Sequence, residues 1–273
     1  MHDKIMRTAL FVPAIRPDRL PKALASGADA VIVDLEDSVP PDEKTTARRH
    51  LAAFAAAHPD ERFMVRINDG TTVWFDEDLR LCRELPNVVG IVLPKAEAAR
   101  HVHIVSGAGK PLMPVIESAA GLRNLDGIAS AAGVWCLSFG ILDLMLEFGT
   151  RPDTEGAARI LDQVRYQILL HSSMNKLRPP LDAVHADFSD LDGLASRVAV
   201  ARDMGFAGML CIHPRQIPVV HQAFQPSAHE LDWARRVLAK AEHSRSQAFR
   251  VDGQMVDLPL IERARRLLAR GAQ

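Results

Sequence analysis

The chain has 273 residues, of which 48% are hydrophobic and 25% are charged. A chain of this length supports one large core, and a (β/α)8 barrel of about 250 residues would use nearly all of it. Lysine and arginine total 33 against 34 aspartates and glutamates, so there is no basic surplus with which to bind nucleic acid. The cysteines, Cys82, Cys136 and Cys211, are widely spaced, which predicts reduced core residues rather than a zinc or redox motif.

The N-terminal residues 1–7 are polar and lead directly into a predicted strand. They lack the apolar segment of a secretory signal peptide. No apolar run reaches the roughly 18 residues that a membrane span requires. The sequence therefore predicts a soluble, cytoplasmic protein without a membrane partner.

Predicted strands and helices alternate along most of the chain. The strands are predicted at residues 8–13, 31–39, 63–68, 88–95, 111–117, 134–140, 181–187 and 208–214. Helical patterns fall between them at 16–26, 41–58, 75–85, 96–106, 122–132, 154–175 and 191–204. Such alternation indicates parallel pairing through right-handed crossovers, and eight units predict closure into a (β/α)8 TIM barrel.

The segment after the eighth predicted strand has a different pattern. Residues 228–246 form an amphipathic helical pattern, 251–257 a short turn, and 259–270 an arginine-rich helix. The sequence thus predicts a barrel domain over residues 1–225 and a C-terminal helical extension over 226–273.

Polar residues stand at the ends of nearly all the predicted strands. They are Asp34, Glu36, Asp37, Arg66, Lys95, Glu117, Asp143, Asp187 and His213. In a barrel of this type the interior is packed, and chemistry is confined to the loops at the C-terminal ends of the strands. We therefore expect these side chains to converge on one face.

Glu117 and Asp143 are the best candidate metal ligands among these residues. Mg2+ commonly uses one or two carboxylates and leaves its other positions to water and substrate oxygens. The absence of a histidine or cysteine cluster in the sequence disfavours zinc. The alternative is that each carboxylate pairs with a nearby arginine or lysine at the mouth of the barrel.

Arg66 has the planar fork that suits bidentate binding of a substrate carboxylate. The alternative is an ion pair between Arg66 and Asp34 or Glu36, and both arrangements can exist together. For Lys95 we expect an ordinary ion pair rather than a Schiff base. His213 fits equally a hydrogen-bonded residue at a strand end and a catalyst.

Seven segments of the barrel share a pattern with a known family. They are LFVP (10–13), ADAVIVDLEDSV (28–39), VRIN (65–68), VLPK (92–95), IES (116–118), LSFG (137–140) with Asp143 beyond it, and CIHP (211–214). In this order they resemble the citrate lyase β-subunit-like proteins. The resemblance implies a TIM barrel of the phosphoenolpyruvate/pyruvate superfamily that assembles as a homotrimer or hexamer, with the C-terminal extension packing on a neighbouring subunit.

The resemblance also implies a chemistry. Mg2+ is bound by Glu117 and Asp143, a small oxo-acid or hydroxy-acid is bound by the metal and Arg66, and Asp34 and Glu36 lie beside the site. The implied enzyme is a carbon–carbon lyase that cleaves a β-hydroxyacyl-CoA thioester of malyl-CoA or citramalyl-CoA type. The products are an acyl-CoA and a small α-keto acid.

The resemblance extends to Asp257, which falls in a segment similar to the C-terminal tail of malyl-CoA lyase-like relatives. In those relatives an aspartate of the tail reaches the site of a neighbouring subunit, which makes Asp257 the candidate acid/base. Alternatively, Asp257 caps the final helix.

Three other functions remain open from the sequence. The first is the β-subunit of a citrate lyase complex that acts on an acyl-carrier thioester. The second is a malate synthase-like or thioesterase activity at the same site. The third is a non-catalytic protein that binds an oxo-acid or CoA.

Overall fold

The computed structural model describes residues 5–243 and 248–271. The chain folds into two compact units, one spanning Met6–Ala223 and the other running from Phe224 onward. No helix in these described ranges is long and apolar enough to cross a membrane.

The first unit contains one parallel eight-stranded sheet. Its strands are β1 Thr8–Pro13, β2 Ala30–Asp34, β3 Phe63–Arg66, β4 Val88–Leu93, β5 Leu112–Ile116, β6 Ser138–Phe139, β7 Leu181–Asp182 and β8 Gly208–Cys211. Their order in the sheet is β6-β5-β4-β3-β2-β1-β8-β7. The amide of Leu181 donates to the carbonyl of Leu137 at 3.1 Å, which joins β7 to β6. The sheet therefore curls into a barrel, and the predicted fold class is confirmed.

Helices follow the strands. They are α1 Leu20–Leu24, α2 Lys44–Ala57, α3 Phe75–Glu84, α4 Ala99–Ser106, α5 Ala119–Arg123, α6 Leu125–Ala129, α7 Ile141–Glu147, α8 Glu155–Met174, α9 Leu191–Met204 and α10 Gln216–Phe224. The hydroxyl of Thr154 and the carboxylate of Asp190 cap α8 and α9 by accepting backbone N–H groups. Two of these helices, α7 and α10, were not predicted from the sequence.

The strand β2 ends at Asp34, the first of the acidic residues at which the sequence predicts that the strand gives way to a loop. The reason is local, because the Asp34 carboxylate turns back on the chain that follows. It accepts hydrogen bonds from the amide of Glu36 at 2.9 Å and from the amide of Ser38 at 3.2 Å. An aspartate that binds backbone amides ahead of it forms a turn instead of a further stretch of strand.

The interior of the barrel is filled by apolar side chains. One cluster of buried side chains contains Met6, Ala9, Ala30, Ile32, Met64, Val92, Met113, Val115, Cys136, Leu181 and Leu210. The three cysteines are buried and free, in agreement with their predicted role as core residues. The barrel is thus a packed core, and polar groups can gather only at its ends.

The second unit consists of α11 Ala228–His243, the strands β9 Phe249–Val251 and β10 Gln254–Val256, and α12 Leu258–Gly271. The strands pair antiparallel, so the segment predicted as a turn is a β-hairpin. Asp252 and Gly253 make its two-residue turn with φ values of 51° and 81°, as a type I′ turn requires. Ala234, Val237 and Ala264 are among the residues of its small core. The packing of this extension on a neighbouring subunit stays a prediction.

Candidate active site

Four of the polar residues predicted at strand ends lie on adjacent strands of the barrel wall. Asp34 and Arg66 are the last residues of β2 and β3 and are register partners. Lys95 lies two residues after β4, and Glu117 directly follows β5. Because parallel strands present their carboxyl ends at the same edge, these side chains share one end of the barrel.

Arg66 and Asp34 form a bidentate ion pair. Arg66 Nε lies 2.7 Å from Asp34 Oδ1, and Nη2 lies 2.7 Å from Oδ2. The side chains are 15% and 2% exposed. Burial alone would raise the pKa of Asp34, but the charge of Arg66 and the hydrogen bonds to the carboxylate hold that pKa below its usual range. The predicted ion pair is present, and it leaves the third nitrogen, Nη1, on the outer edge of the guanidinium.

The remaining nitrogen of Arg66 faces two more carboxylates. Nη1 lies 3.1 Å from Glu36 Oε2 and 3.5 Å from Asp37 Oδ2. The guanidinium carbon is 4.7 Å from the centre of the Phe11 ring, so one face of the fork is covered by an aromatic side chain. This packing fixes the plane of the guanidinium as well as its position.

Lys95 connects the acidic residues after β2 with Glu117. Its ammonium pairs with Glu36 and lies 3.6 Å from Asp37 Oδ1, while its amide donates to Glu117 Oε1 at 2.6 Å. Burial would lower the pKa of Lys95, but Glu36 and the other carboxylates outweigh burial and raise it. Lys95 is therefore a cation in an ion pair, as expected from the sequence.

Glu117 is a buried carboxyl group of the site with a raised pKa. It is 6% exposed, and burial together with the charge of Glu36 raises its pKa to about 7. Asp143, in the first turn of α7, adds to this shift by its own charge. Burial also raises the pKa of Glu36, against the opposing charges of Arg66 and Lys95. The site thus concentrates negative charge that a bound cation would relieve.

Gly140 leaves the space that the side chain of Glu117 occupies. A Cβ on Gly140 would lie 2.7 Å from Glu117 Cβ and would overlap its carboxylate. The backbone of Gly140 has φ of −101° and ψ of 104°, so space and not conformation demands glycine here. Our sequence reasoning gave Gly140 no role, although it ends the LSFG segment.

The donors suit a hard divalent cation. Glu117 and Asp143 offer carboxylate oxygens, and one or two carboxylates with water and substrate oxygens complete a magnesium shell. In the described ranges, no group of three or more His, Cys, Asp or Glu side chains is arranged to hold a metal ion. Any cation held here would therefore need ligands beyond these carboxylates, from water, substrate or other oxygens of the protein.

Three other residues singled out from the sequence make contacts of their own. The carboxylate of Asp187 accepts from the amide of Ser189 in the loop before α9. His213 stacks on Phe188 with ring centres 4.8 Å apart. Asp257 belongs to the second unit, where its carbonyl accepts from the amide of Ile261 at the start of α12.

Comparisons with known proteins identify the family. The family model described as HpcH/HpaI aldolase/citrate lyase matches residues 7–214. A citrate lyase subunit beta-like protein of Mycobacterium tuberculosis is 40% identical over 267 residues, which cover 97% of this chain and 95% of that protein. A (3S)-malyl-CoA thioesterase of Cereibacter sphaeroides is 34% identical over 274 residues, which cover 97% and 94%.

A solved structure resembles the whole chain. The protein CitE from Mycobacterium tuberculosis, in complex with magnesium, acetoacetate and coenzyme A, has a TM-score of 0.84 and 37% identity. The match covers 99% of this chain and 100% of that one. The predicted family resemblance and the predicted lyase class are confirmed, and the chain belongs to the HpcH/HpaI aldolase/citrate lyase family.

Proposed function

We propose that this protein is a Mg2+-dependent carbon–carbon lyase acting on a β-hydroxyacyl-CoA thioester of malyl-CoA or citramalyl-CoA type. The observation that carries the proposal is that two binding groups of opposite charge lie at the same end of the barrel. Arg66 is an immobilised cation suited to a carboxylate, and Glu117 is a buried carboxylate suited to a cation. A small oxo-acid bound through a metal ion would use both groups, the arginine for its carboxylate and the glutamate for the metal.

Mg2+ would be held by Glu117 and Asp143. When bound, it supplies electrophilic stabilisation of the oxygen that becomes the carbonyl of the α-keto acid. The relative of known structure binds magnesium together with acetoacetate and coenzyme A, which supports the same combination for this chain.

Arg66 binds the carboxylate of the substrate and so orients the bond to be broken. Asp34 holds Arg66 by two hydrogen bonds and, with its lowered pKa, stays ionised in that role. A base then removes the proton of the β-hydroxyl group. The adjacent carbon–carbon bond breaks to give the α-keto acid and the enolate of the thioester, which takes up a proton to become the acyl-CoA.

We assign the base to Asp257, which the family resemblance favours. Glu36 is the candidate within the barrel, because burial raises its pKa towards the range in which a carboxylate accepts a proton. Asp34 is less suited to that step, because it is already the acceptor for Arg66, Ser38 and the amide of Glu36. Its contribution to catalysis is to position Arg66.

The test measures release of α-keto acid from malyl-CoA and citramalyl-CoA, with and without Mg2+. We expect metal-dependent release by the wild type and a loss of about 100-fold or more in Asp257→Ala. Asp232→Ala is the matched control, because Asp232 is an exposed aspartate of the same unit, paired with Arg236 at 3.3 Å. Full activity in Asp257→Ala would move the base to Glu36, and no cleavage of either thioester would refute the lyase assignment.

A second candidate is hydrolysis of the thioester. It is favoured by the relatives named (3S)-malyl-CoA thioesterase, at 34% identity over nearly the full chain. Hydrolysis releases free CoA and leaves the hydroxy-acid intact, whereas the lyase releases an α-keto acid and keeps the thioester. Assaying the free thiol and the keto acid in the same reaction separates the two.

The homotrimer or hexamer implied by the resemblance is part of the same proposal. Light scattering coupled to gel filtration measures the mass directly, and a monomer would contradict it. An acyl-carrier thioester included in the substrate panel tests the citrate lyase β-subunit alternative, which a relative from Leuconostoc mesenteroides at 28% identity represents.

A further inference from the structure

The last residue of β2 and the segment after it carry the three carboxylates that face Arg66, those of Asp34, Glu36 and Asp37. We call residues 34–39 the acidic loop. Its peptide groups are held from several sides: the amide of Leu35 donates to Arg66 O at 2.9 Å, and the amide of Val39 donates to Glu36 O at 2.9 Å. A loop bonded in this way presents its carboxylates in one arrangement.

The ammonium of Lys44 lies beneath the acidic loop. Lys44 begins α2 and is 5% exposed. Its Nζ donates to the carbonyls of Leu35 and Glu36, both at 2.8 Å, and to Asn68 Oδ1 at 2.6 Å. An ammonium has three donors, and all three are used on or next to this loop.

The third acceptor of Lys44 is itself fixed. Asn68 donates from Nδ2 to Leu35 O at 3.0 Å and to Asp78 Oδ2 at 2.6 Å. Asp78 is fully buried and pairs on its other oxygen with Arg48 at 3.0 Å. Lys44 therefore joins the acidic loop to a rigid polar network between α2 and α3.

We propose that Lys44 is a positioning residue for the active site, whose ammonium fixes the carbonyls of Leu35 and Glu36 and thereby sets where the acidic loop holds Arg66. The inference rests on the proposed function, in which Arg66 binds the oxo-acid. Lys44 contacts neither substrate nor metal in this role. It acts on the substrate-binding Arg66 indirectly, by fixing the backbone that carries Asp34 and Glu36.

Arg48 provides a matched control. It lies one turn after Lys44 on α2, is 9% exposed, and pairs with buried Asp78. Its contacts are with Thr45, Glu77 and Asp78 and do not include the acidic loop. Lys44→Met and Arg48→Met both remove a buried cation and are expected to lower stability, but only the first removes hydrogen bonds to the carbonyls of the acidic loop. Arg48 reaches the loop only through Asp78 and Asn68.

The experiment compares Lys44→Met, Lys44→Gln and Arg48→Met with the wild type by two measurements. Hydrogen exchange followed by mass spectrometry reports the amides of the acidic loop, and calorimetry reports the affinity for pyruvate, the α-keto acid that citramalyl-CoA would release, in the presence of Mg2+. For Lys44→Met we expect loop exchange about tenfold faster than in Arg48→Met and an affinity about 10-fold to 100-fold weaker than the wild type. Lys44→Gln, which keeps one donor group, should change both in the same direction by less.

Different outcomes test the role of Lys44 and the proposed function. Equal loop exchange and equal affinity in Lys44→Met and Arg48→Met would overturn the role of Lys44. A wild type that binds neither pyruvate nor glyoxylate in the presence of Mg2+ would refute the proposed function instead, and the exchange comparison would still decide whether Lys44 holds the loop. If Lys44→Met does not fold, the same criteria are applied to Lys44→Gln.

Discussion

The ion pair between Arg66 and Asp34 makes a quantitative prediction for Asp34→Asn. The substitution keeps the shape of the side chain but removes its charge, and the new amide nitrogen faces a guanidinium donor. Breaking a buried pair by neutralising one partner costs about 3–5 kcal/mol. Because Glu36 still lies 3.1 Å from Arg66 and compensates part of its charge, we expect a loss near the lower end of that range.

Denaturant unfolding at pH 7 measures the loss, and a double-mutant cycle with Arg66→Met isolates the pair. We expect the double variant to be more stable than the sum of the single effects predicts, since removing both partners leaves no unpaired buried charge. Because the folded-state pKa of Asp34 is lowered, the stability it adds is present above its ordinary pKa and is lost as pH falls through the folded value. A loss under about 1 kcal/mol, or strict additivity in the cycle, would refute this account.

Further predictions concern Glu117 and the glycine beside it. In the metal-free protein the raised pKa of Glu117, about 7, means that the free energy of unfolding falls as pH rises from the ordinary pKa of a glutamate to about 7, by about 3–4 kcal/mol. Glu117→Gln should remove most of this fall in melts at pH 5 and pH 8, and an unchanged pH dependence would contradict it. Mg2+ must displace the proton of Glu117 below that pH, so its affinity, measured by calorimetry, should drop about tenfold per pH unit there. Gly140→Ala should cut kcat/KM about 100-fold by displacing Glu117, whereas Gly156→Ala, at an open position on α8, should leave it unchanged.

The barrel could be predicted because its signal is repeated along the whole chain. Alternation of strands and helices gave the eight parallel strands, and α9 begins and ends where its pattern predicted. The predictions differ from the structure where an element is short. The helix α7 is only seven residues long and begins two residues after the end of β6.

The charged residues of the site could be predicted from the sequence, but the residues that hold them in position could not. Arg66 and its neighbours were recognised because charge at a strand end next to a core is conspicuous. Lys44 gave no such signal, because a lysine at the start of a helix usually lies in solvent, and only the fold shows that its ammonium meets carbonyls nine and eight residues earlier in the chain. Gly140 was overlooked for a similar reason, since the side chain for which it leaves space is that of Glu117, which follows a different strand.

The two shortest strands of the barrel also have a dynamic consequence. β6 and β7 contain two residues each, and in the ranges that the structure describes they are the ends of the strand order. They are joined by the bond from Leu181 N to Leu137 O and by one from the Ser138 hydroxyl to Leu181 O at 3.0 Å. Local opening should therefore start at this seam, where the fewest hydrogen bonds must break. Arg66 and its carboxylate partners lie on the well-paired wall across the ring, whereas Asp143 lies in α7, which follows β6 at the seam. Opening there would displace one of the two proposed metal ligands while the ion pairs of Arg66 stay in place.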